Sequence, residues 1–214
     1  MKYNSPLKII VSVLLLMLFL VSCSGHPRTT DIDMYDITLP AEELLKKVKR
    51  GDFVVREDGD VSVGQELWHD FYEKTRAGEP ASIKLADYYT LEDNNVSDEY
   101  YEEHKDEYPV IYLAELSFDG TVYTFHSING QDGTTGYSRT YPYLVRYEDV
   151  PKNVSATFVT CERYVLVHDE TVTYDRLQYG LYSSQFGDYI DHYEVYTDYK
   201  YKPEYSYREK NHEK

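Results

Sequence analysis

From Val110 to Ile128, apolar residues fall on alternate positions on both sides of Asp119-Gly120. A period of two gathers one set of side chains on one face of an extended chain, and Asp-Gly is a pair that closes antiparallel strands. A two-residue turn there pairs Phe118 with Thr121, Leu116 with Tyr123 and Ala114 with Phe125. The large apolar residues then share a face, so pattern and turn chemistry agree on an antiparallel sheet with one buried side. The chain carries 25 Tyr against 7 Phe and 1 Trp. A tyrosine ring has a broad apolar body and a hydroxyl that stays wet, which suits half-buried strands. The same properties suit a binding surface.

Helical periods interrupt the strand pattern. Thr38 to Gly51 has acids near its start, Lys and Arg near its end, and an apolar stripe of Leu44, Leu45 and Val48. Phe53 to Arg56 reads as a short strand followed by an Asp58-Gly59 turn. Ser62 and Gln65 have the spacing of a capping box, and behind them Leu67, Trp68, Phe71, Tyr72 and Thr75 recur at helical spacing until Gly78 and Pro80. Ser82 to Leu91 alternates Ile83, Leu85 and Tyr89 as a strand. Asn129 to Gly136 holds three Gly and reads as a mobile loop. Tyr141 to Tyr147, Ala156 to His168 and His192 to Tyr199 read as further strands. Thr171 to Gln185 reads as a second helix interrupted by Gly180. The prediction is an α+β fold: a mainly antiparallel sheet of five to seven strands with two or three helices packed on one face. Residues 37–200 have the length of one domain, and 201–214 read as a disordered charged tail.

Residues 1–22 have a different character. Lys2 and Lys8 precede an apolar run from Ile9 to Leu20. As a helix that run rises about 18 Å, short of a ~30 Å hydrocarbon core, so it fits an export leader better than a stable membrane span. Leu20-Val21-Ser22-Cys23 closes it and resembles the lipobox of bacterial lipoproteins. The resemblance implies cleavage between Ser22 and Cys23 and a diacylglycerol on the Cys23 thiol. It also implies attachment to the cell membrane on its extracytoplasmic face. Two acyl chains anchor durably where one is marginal. Residues 23–36 then read as a lipidated N-terminus and flexible tether.

The segment Phe53 to Leu91 also carries a Val-Val strand, an Asp-Gly turn, an aromatic helix ending at Gly78-Glu79-Pro80 and the strand Ser82-Ile83-Lys84-Leu85. With Leu116-Ser117-Phe118-Asp119-Gly120, it resembles small uncharacterised lipoproteins of Gram-positive bacteria. That resemblance implies a surface location and a compact α+β fold. It brings no catalytic residues with it.

Net charge is −16 at pH 7, and the leader contributes Lys2 and Lys8 without an acid. An acidic body cannot displace counterions from phosphate, so no nucleic-acid partner is expected. The same charge means that membrane contact comes through the lipid. Cys161 lies among valines and reads as a buried thiol, seven residues and an opposite strand face away from His168. The seven histidines match no zinc spacing, and no Gly-x-Ser-x-Gly or Ser-x-x-Lys occurs. No cofactor, metal or catalytic set is therefore expected. The acidic stretch 92–107 raises a calcium question but has no EF-hand spacing. Asp188, Asp191, His192 and Glu194 form a polar cluster near the last strand, and His168, Asp169 and Glu170 another at a strand end. These could converge on an acid–base site.

The expected role is a lipid-anchored, non-enzymatic module that binds an extracellular protein, peptide or glycan. Two alternatives are an envelope hydrolase using the Asp, His and Glu groups near the last strand, and an inhibitor or immunity-type lipoprotein.

Overall fold

Trp68 and Phe71, the two buried aromatic rings of the helical stripe, lie at the junction of two sheets. The computed structural model describes residues 37–91, 96–128, 136–149 and 158–203. The leader, Cys23, the tether, most of the glycine-rich loop and residues 204–214 lie outside these.

Helix α1 is Ala41–Val48, with Leu44, Leu45 and Val48 buried as its stripe requires. Strands β1 (Phe53–Glu57) and β2 (Asp60–Val63) form the first hairpin. Helix α2 follows as Gln65–Arg76. The expected capping box does not form. Gly64 occupies the N-cap at φ 83°, and Ser62 Oγ instead donates to the Val55 carbonyl at 3.3 Å. Glycine is required there: a Cβ would lie 2.3 Å from the Phe53 carbonyl oxygen.

Strand β3 (Ala81–Tyr89) runs parallel to β1, so β2 and α2 together make the crossover. Helix α3 (Asp98–His104) is capped by Ser97, whose hydroxyl accepts from the Tyr100 N–H at 3.3 Å. Strands β4 (Val110–Phe118) and β5 (Tyr123–Ser127) make the hairpin foreseen from the alternation. Its register differs by two residues: Phe118 pairs with Tyr123, Leu116 with Phe125 and Ala114 with Ser127. The cause is the Asp119 carboxylate, which accepts from the N–H groups of Thr121 and Val122 at 2.7 and 2.9 Å and so closes a four-residue loop. A shift of two preserves the buried face.

Tyr141 to Tyr147 is two strands, not one. Strand β6 (Ser138–Tyr141) and strand β7 (Tyr143–Asp149) flank Pro142 and belong to different sheets. Pro lacks the N–H that a continuous ladder needs. Strand β8 (Phe158–Val167) precedes helix α4 (Tyr174–Tyr182), and strand β9 (His192–Tyr201) comes last. Gly180 sits inside α4 because a Cβ there would lie 2.6 Å from the Asp188 carbonyl oxygen. Tyr201 belongs to β9 rather than to the expected tail, and its hydroxyl donates to Asp60 at 2.8 Å.

The α+β class stands, and its sheets are mainly antiparallel. The strands number nine among the described residues and form two sheets rather than one, in the orders β2-β1-β3-β4-β5-β6 and β7-β8-β9. The shared core joins Val54, Leu85, Leu116 and Phe125 of the larger sheet to Tyr164, Leu166 and Tyr196 of the smaller, with Trp68 and Phe71 between. The apolar stripe of α1 lies outside this core, because α1 packs against β3 and β4 from the other side of the larger sheet. Strand β8 separates two clusters. Tyr164 and Leu166 face the shared core, while Val165 and Val167 pack with Leu177 of α4.

Strand β9 crosses the larger sheet. Tyr193 packs on Phe125 at 4.3 Å between ring centroids, Asp198 accepts from Gln65 at 2.8 Å, and Tyr201 reaches Asp60 on β2. No helix among the described residues is long and apolar enough to cross a membrane.

Candidate functional site

Among the described residues, the inner face of the larger sheet is incompletely covered. The last turn of α2 lies over the start of β3, and β9 crosses from β5 to β2. Beyond that crossing, the far ends of β1, β3 and β4 carry inward-facing residues that the core does not use. Alternation assigns them: Val54 leads to Arg56, Ile83 and Leu85 lead to Asp87 and Tyr89, and Leu116 and Ala114 lead back to Tyr112.

Arg56 and Asp87 meet there as a bidentate pair, Nε to Oδ1 at 2.5 Å and Nη2 to Oδ2 at 2.7 Å. Their side chains are 17% and 21% exposed, so water screens them little. Burial opposes the charge on Arg56, but Asp87 outweighs it and holds the guanidinium above its ordinary value. Parallel N–H···O bonds of this kind also fix direction, which makes the pair a rigid planar feature.

Aromatic rings surround the pair. Tyr89 lies 6.0 Å from Tyr112 between centroids and is 37% exposed. Tyr193 stands on the β9 side, and burial, followed by the neighbouring Tyr137, pushes its hydroxyl well above the usual tyrosine value. Phe125 links Tyr193 to Tyr137, which is itself 41% exposed. The arrangement is a shelf of tyrosine rings with one ion pair set into it.

The contacts continue to a second charged group. Arg139 on β6 lies over the Tyr137 ring at 5.3 Å and approaches Asp191 at 3.8 Å. Asp191 Oδ2 is 3.2 Å from His168 Nε2, and the His168 ring lies 4.9 Å from Tyr141. Residues from the two polar clusters noted in the sequence therefore meet, through His168 and Asp191.

The other members disperse. Asp188 accepts from Ser183 at 2.5 Å and pairs with Arg176 of α4 at 3.6 Å. His192 Nδ1 is 2.7 Å from the Ile190 carbonyl. Glu194 pairs with Arg163 at 3.0 Å and accepts from Thr197. Asp169 caps a turn through Thr171. Cys161 is fully buried.

Among the described residues, no group of three or more His, Cys, Asp or Glu could hold a metal ion. In the acidic stretch, residues 92–95 lie outside the description. Two other acids there pair locally: Glu102 with Lys105 at 2.5 Å and Glu107 with His104 at 3.1 Å.

A separate groove of 340 Å³ lies where α2 meets the start of β3, with Leu67, Phe71 and Ile83 in its wall. Its two lysines are engaged, Lys74 with Asp70 at 2.6 Å and Lys84 with Asp52 at 3.1 Å. Glu79 and Ser82 line it as well, beside the apolar wall.

Sequence reasoning passed over Arg56, Asp87, Tyr112, Tyr137, Arg139 and Tyr193. One signal was present: Asp87 interrupts the apolar alternation Ile83, Leu85, Tyr89 on the buried face of β3. A charge placed inward on an interior strand needs a partner. No protein-family model, curated protein or solved structure matches the chain.

The Arg56–Asp87 pair sets a measurable expectation. Asp87→Ala strands a buried guanidinium and is expected to cost about 3–5 kcal/mol in chemical denaturation, while the double variant Arg56→Met/Asp87→Leu costs much less. Equal losses in the single and double variants would contradict a mutually compensating pair.

Proposed function

We propose that this chain is a lipid-anchored extracytoplasmic protein, non-enzymatic, that binds an envelope component on the tyrosine shelf. One observation carries the reading: partly exposed Tyr89 and Tyr137 are grouped with Tyr112, Tyr193 and a rigid Arg–Asp pair on a sheet face that the described helices and strands leave open. Tyrosines give large contact area at little entropic cost, and a few fixed polar groups then set orientation. The leader, the Leu20-Val21-Ser22-Cys23 box and the polar tether support placement at the outer surface of the membrane. The acidic body supports attachment by lipid rather than by charge.

A hydrolase reading now rests on His168 and Asp191, since an acid beside a ring nitrogen orients an imidazole for proton transfer. Both side chains are at least half exposed, so bulk water surrounds them. Binding is therefore the reading preferred.

Two measurements test it. Cys23→Ala is expected to leave the protein uncut or to release it from membranes; a variant that still fractionates as a mature, lipid-modified species would contradict the anchor. Nitration of the intact protein with and without cell-envelope extract tests the shelf. Tyr89 and Tyr137 are expected to be protected, while Tyr182, 84% exposed on α4, reacts equally in both. Equal labelling of all three would remove the shelf as the binding surface.

A further inference from the structure

We infer that the groove between α2 and the start of β3 binds an extended cationic peptide segment. The segment pairs with the backbone of Ser82 and sets one apolar side chain against Leu67, Phe71 and Ile83. The groove is a second site: Ser82 and Tyr89 of the shelf are seven residues apart on β3, about 23 Å. It stands or falls independently of the shelf.

The parity of the ladders opens the Ser82 backbone on one side. The Ile128 N–H donates to the Leu113 carbonyl at 2.9 Å, so Leu113 and Ser117 turn their backbone groups to β5. Antiparallel bonding alternates along a strand, so Leu116 and Phe118 turn theirs to β3, where they meet Ile83 and Ala81. Ser82, between those two, turns its N–H and C=O the other way, toward β1. The same parity brings the Tyr88 carbonyl to the Asp58 N–H at 2.9 Å. But β1 begins at Phe53, opposite Lys84. Among the described residues no strand stands beside Ser82, so one donor and one acceptor face the groove in ladder geometry.

The apolar wall lies where such a ladder would use it. A strand laid along Ser82 alternates its side chains as β3 does, so the neighbours of the residue paired with Ser82 point to the side of Ile83. The volume of 340 Å³ is small for a ligand site, a class that begins at about 300 Å³. It suits one large side chain rather than a whole cofactor.

Glu79 sets the sign. Lys74 is bonded to Asp70 at 2.6 Å and Lys84 to Asp52 at 3.1 Å, so each lysine has its acid. Glu79 acts on Lys74 more weakly than Asp70 does, and among the described residues it makes no ion pair of its own. One negative charge is left over. Helix α2 ends here, with the Glu79 N–H donating to the Lys74 carbonyl at 3.0 Å, and the negative end of its dipole adds to that sign. The net charge of −16 draws cations from further away. A small organic cation would meet Glu79 and the apolar wall but leave the Ser82 backbone to water. An extended peptide meets all three, by the strand addition that open sheet edges support.

The test uses the full mature chain in phosphatidylcholine nanodiscs and isothermal titration calorimetry. The probe is the blocked peptide Lys-Thr-Phe-Thr-Lys, whose palindromic sequence presents the same groups in either chain direction. It is expected to bind, roughly tenfold or more above the same peptide N-methylated at its three central amides. Replacing both of its lysines by Glu, or Glu79→Gln in the protein, is expected to weaken binding about three- to fivefold. Ser82→Pro, which removes only the N–H that faces the groove, is expected to match the loss on N-methylation, while Ser82→Ala keeps most of the binding. Should Ser82→Pro fail to fold by circular dichroism, the methylated peptide decides the point, since it leaves the protein untouched. No heat at peptide concentrations up to about 1 mM overturns the inference. Equal binding of the methylated peptide, or its full displacement by phenethylamine with no effect of Ser82→Pro, overturns the peptide assignment in favour of a small amphiphilic cation. Dimers in sedimentation velocity that Ser82→Pro abolishes would assign the groove to a second copy of the chain instead.

Discussion

Trp68 holds the two sheets to the helix between them. Its indole lies parallel to the Tyr196 ring at 4.2 Å and meets the edge of Tyr164 at 5.1 Å, while Phe71 sits 5.8 Å away on the same helix. Each contact is worth little alone, about 0.5–1.5 kcal/mol beyond the area it buries. Together they take the largest side chain in the protein wholly out of water. Trp68 Nε1 and the Tyr196 hydroxyl have no hydrogen-bond partner among the described residues. The core therefore relies on ring packing at this point, at some cost in unmet polar groups.

The shelf follows from that geometry. Trp68 draws β9 across the larger sheet, and Asp60 and Gln65 hold its far end. The smaller sheet therefore cannot cover the outlying ends of β1, β3 and β4. Side chains there still alternate inward, but no apolar layer lies above them among the described residues. The sequence places Arg, Asp and Tyr at those positions, and the groups satisfy one another in pairs. The part over β1, β3 and β4 is rigid, because those strands are interior to the sheet and Arg56 is held at two points. Rigidity lowers the entropy lost on binding.

Much of this organisation is legible in the residues, and the failures have physical causes. Alternation around Asp119-Gly120 identified the hairpin and its buried face. It missed the register because a side-chain carboxylate, not the backbone, decides the loop length. Pro142 was a readable strand break inside Tyr141 to Tyr147. The helix from Leu67 to Thr75 was plain from spacing, but its cap was not, since Gly64 answers to the Phe53 carbonyl across the hairpin. Among the polar residues near the last strand, Asp188 and Asp191 precede β9, while His192 and Glu194 lie in it. That separation could have been read directly. The meeting of His168 with Asp191 could not, because it depends on β8 and β9 being neighbours. Arg56 and Asp87 come together through the parallel β1–β3 pairing, which local pattern does not announce.

A single core shared by both sheets is the central claim, and Trp68 reports on it directly because the chain has one tryptophan. Denaturant unfolding followed in parallel by tryptophan emission and by far-ultraviolet circular dichroism compares that core with the whole backbone. The account predicts blue-shifted native emission and coincident transitions. Emission of a solvent-exposed indole in the native protein, or two separated transitions, would mean that the sheets are not joined through Trp68.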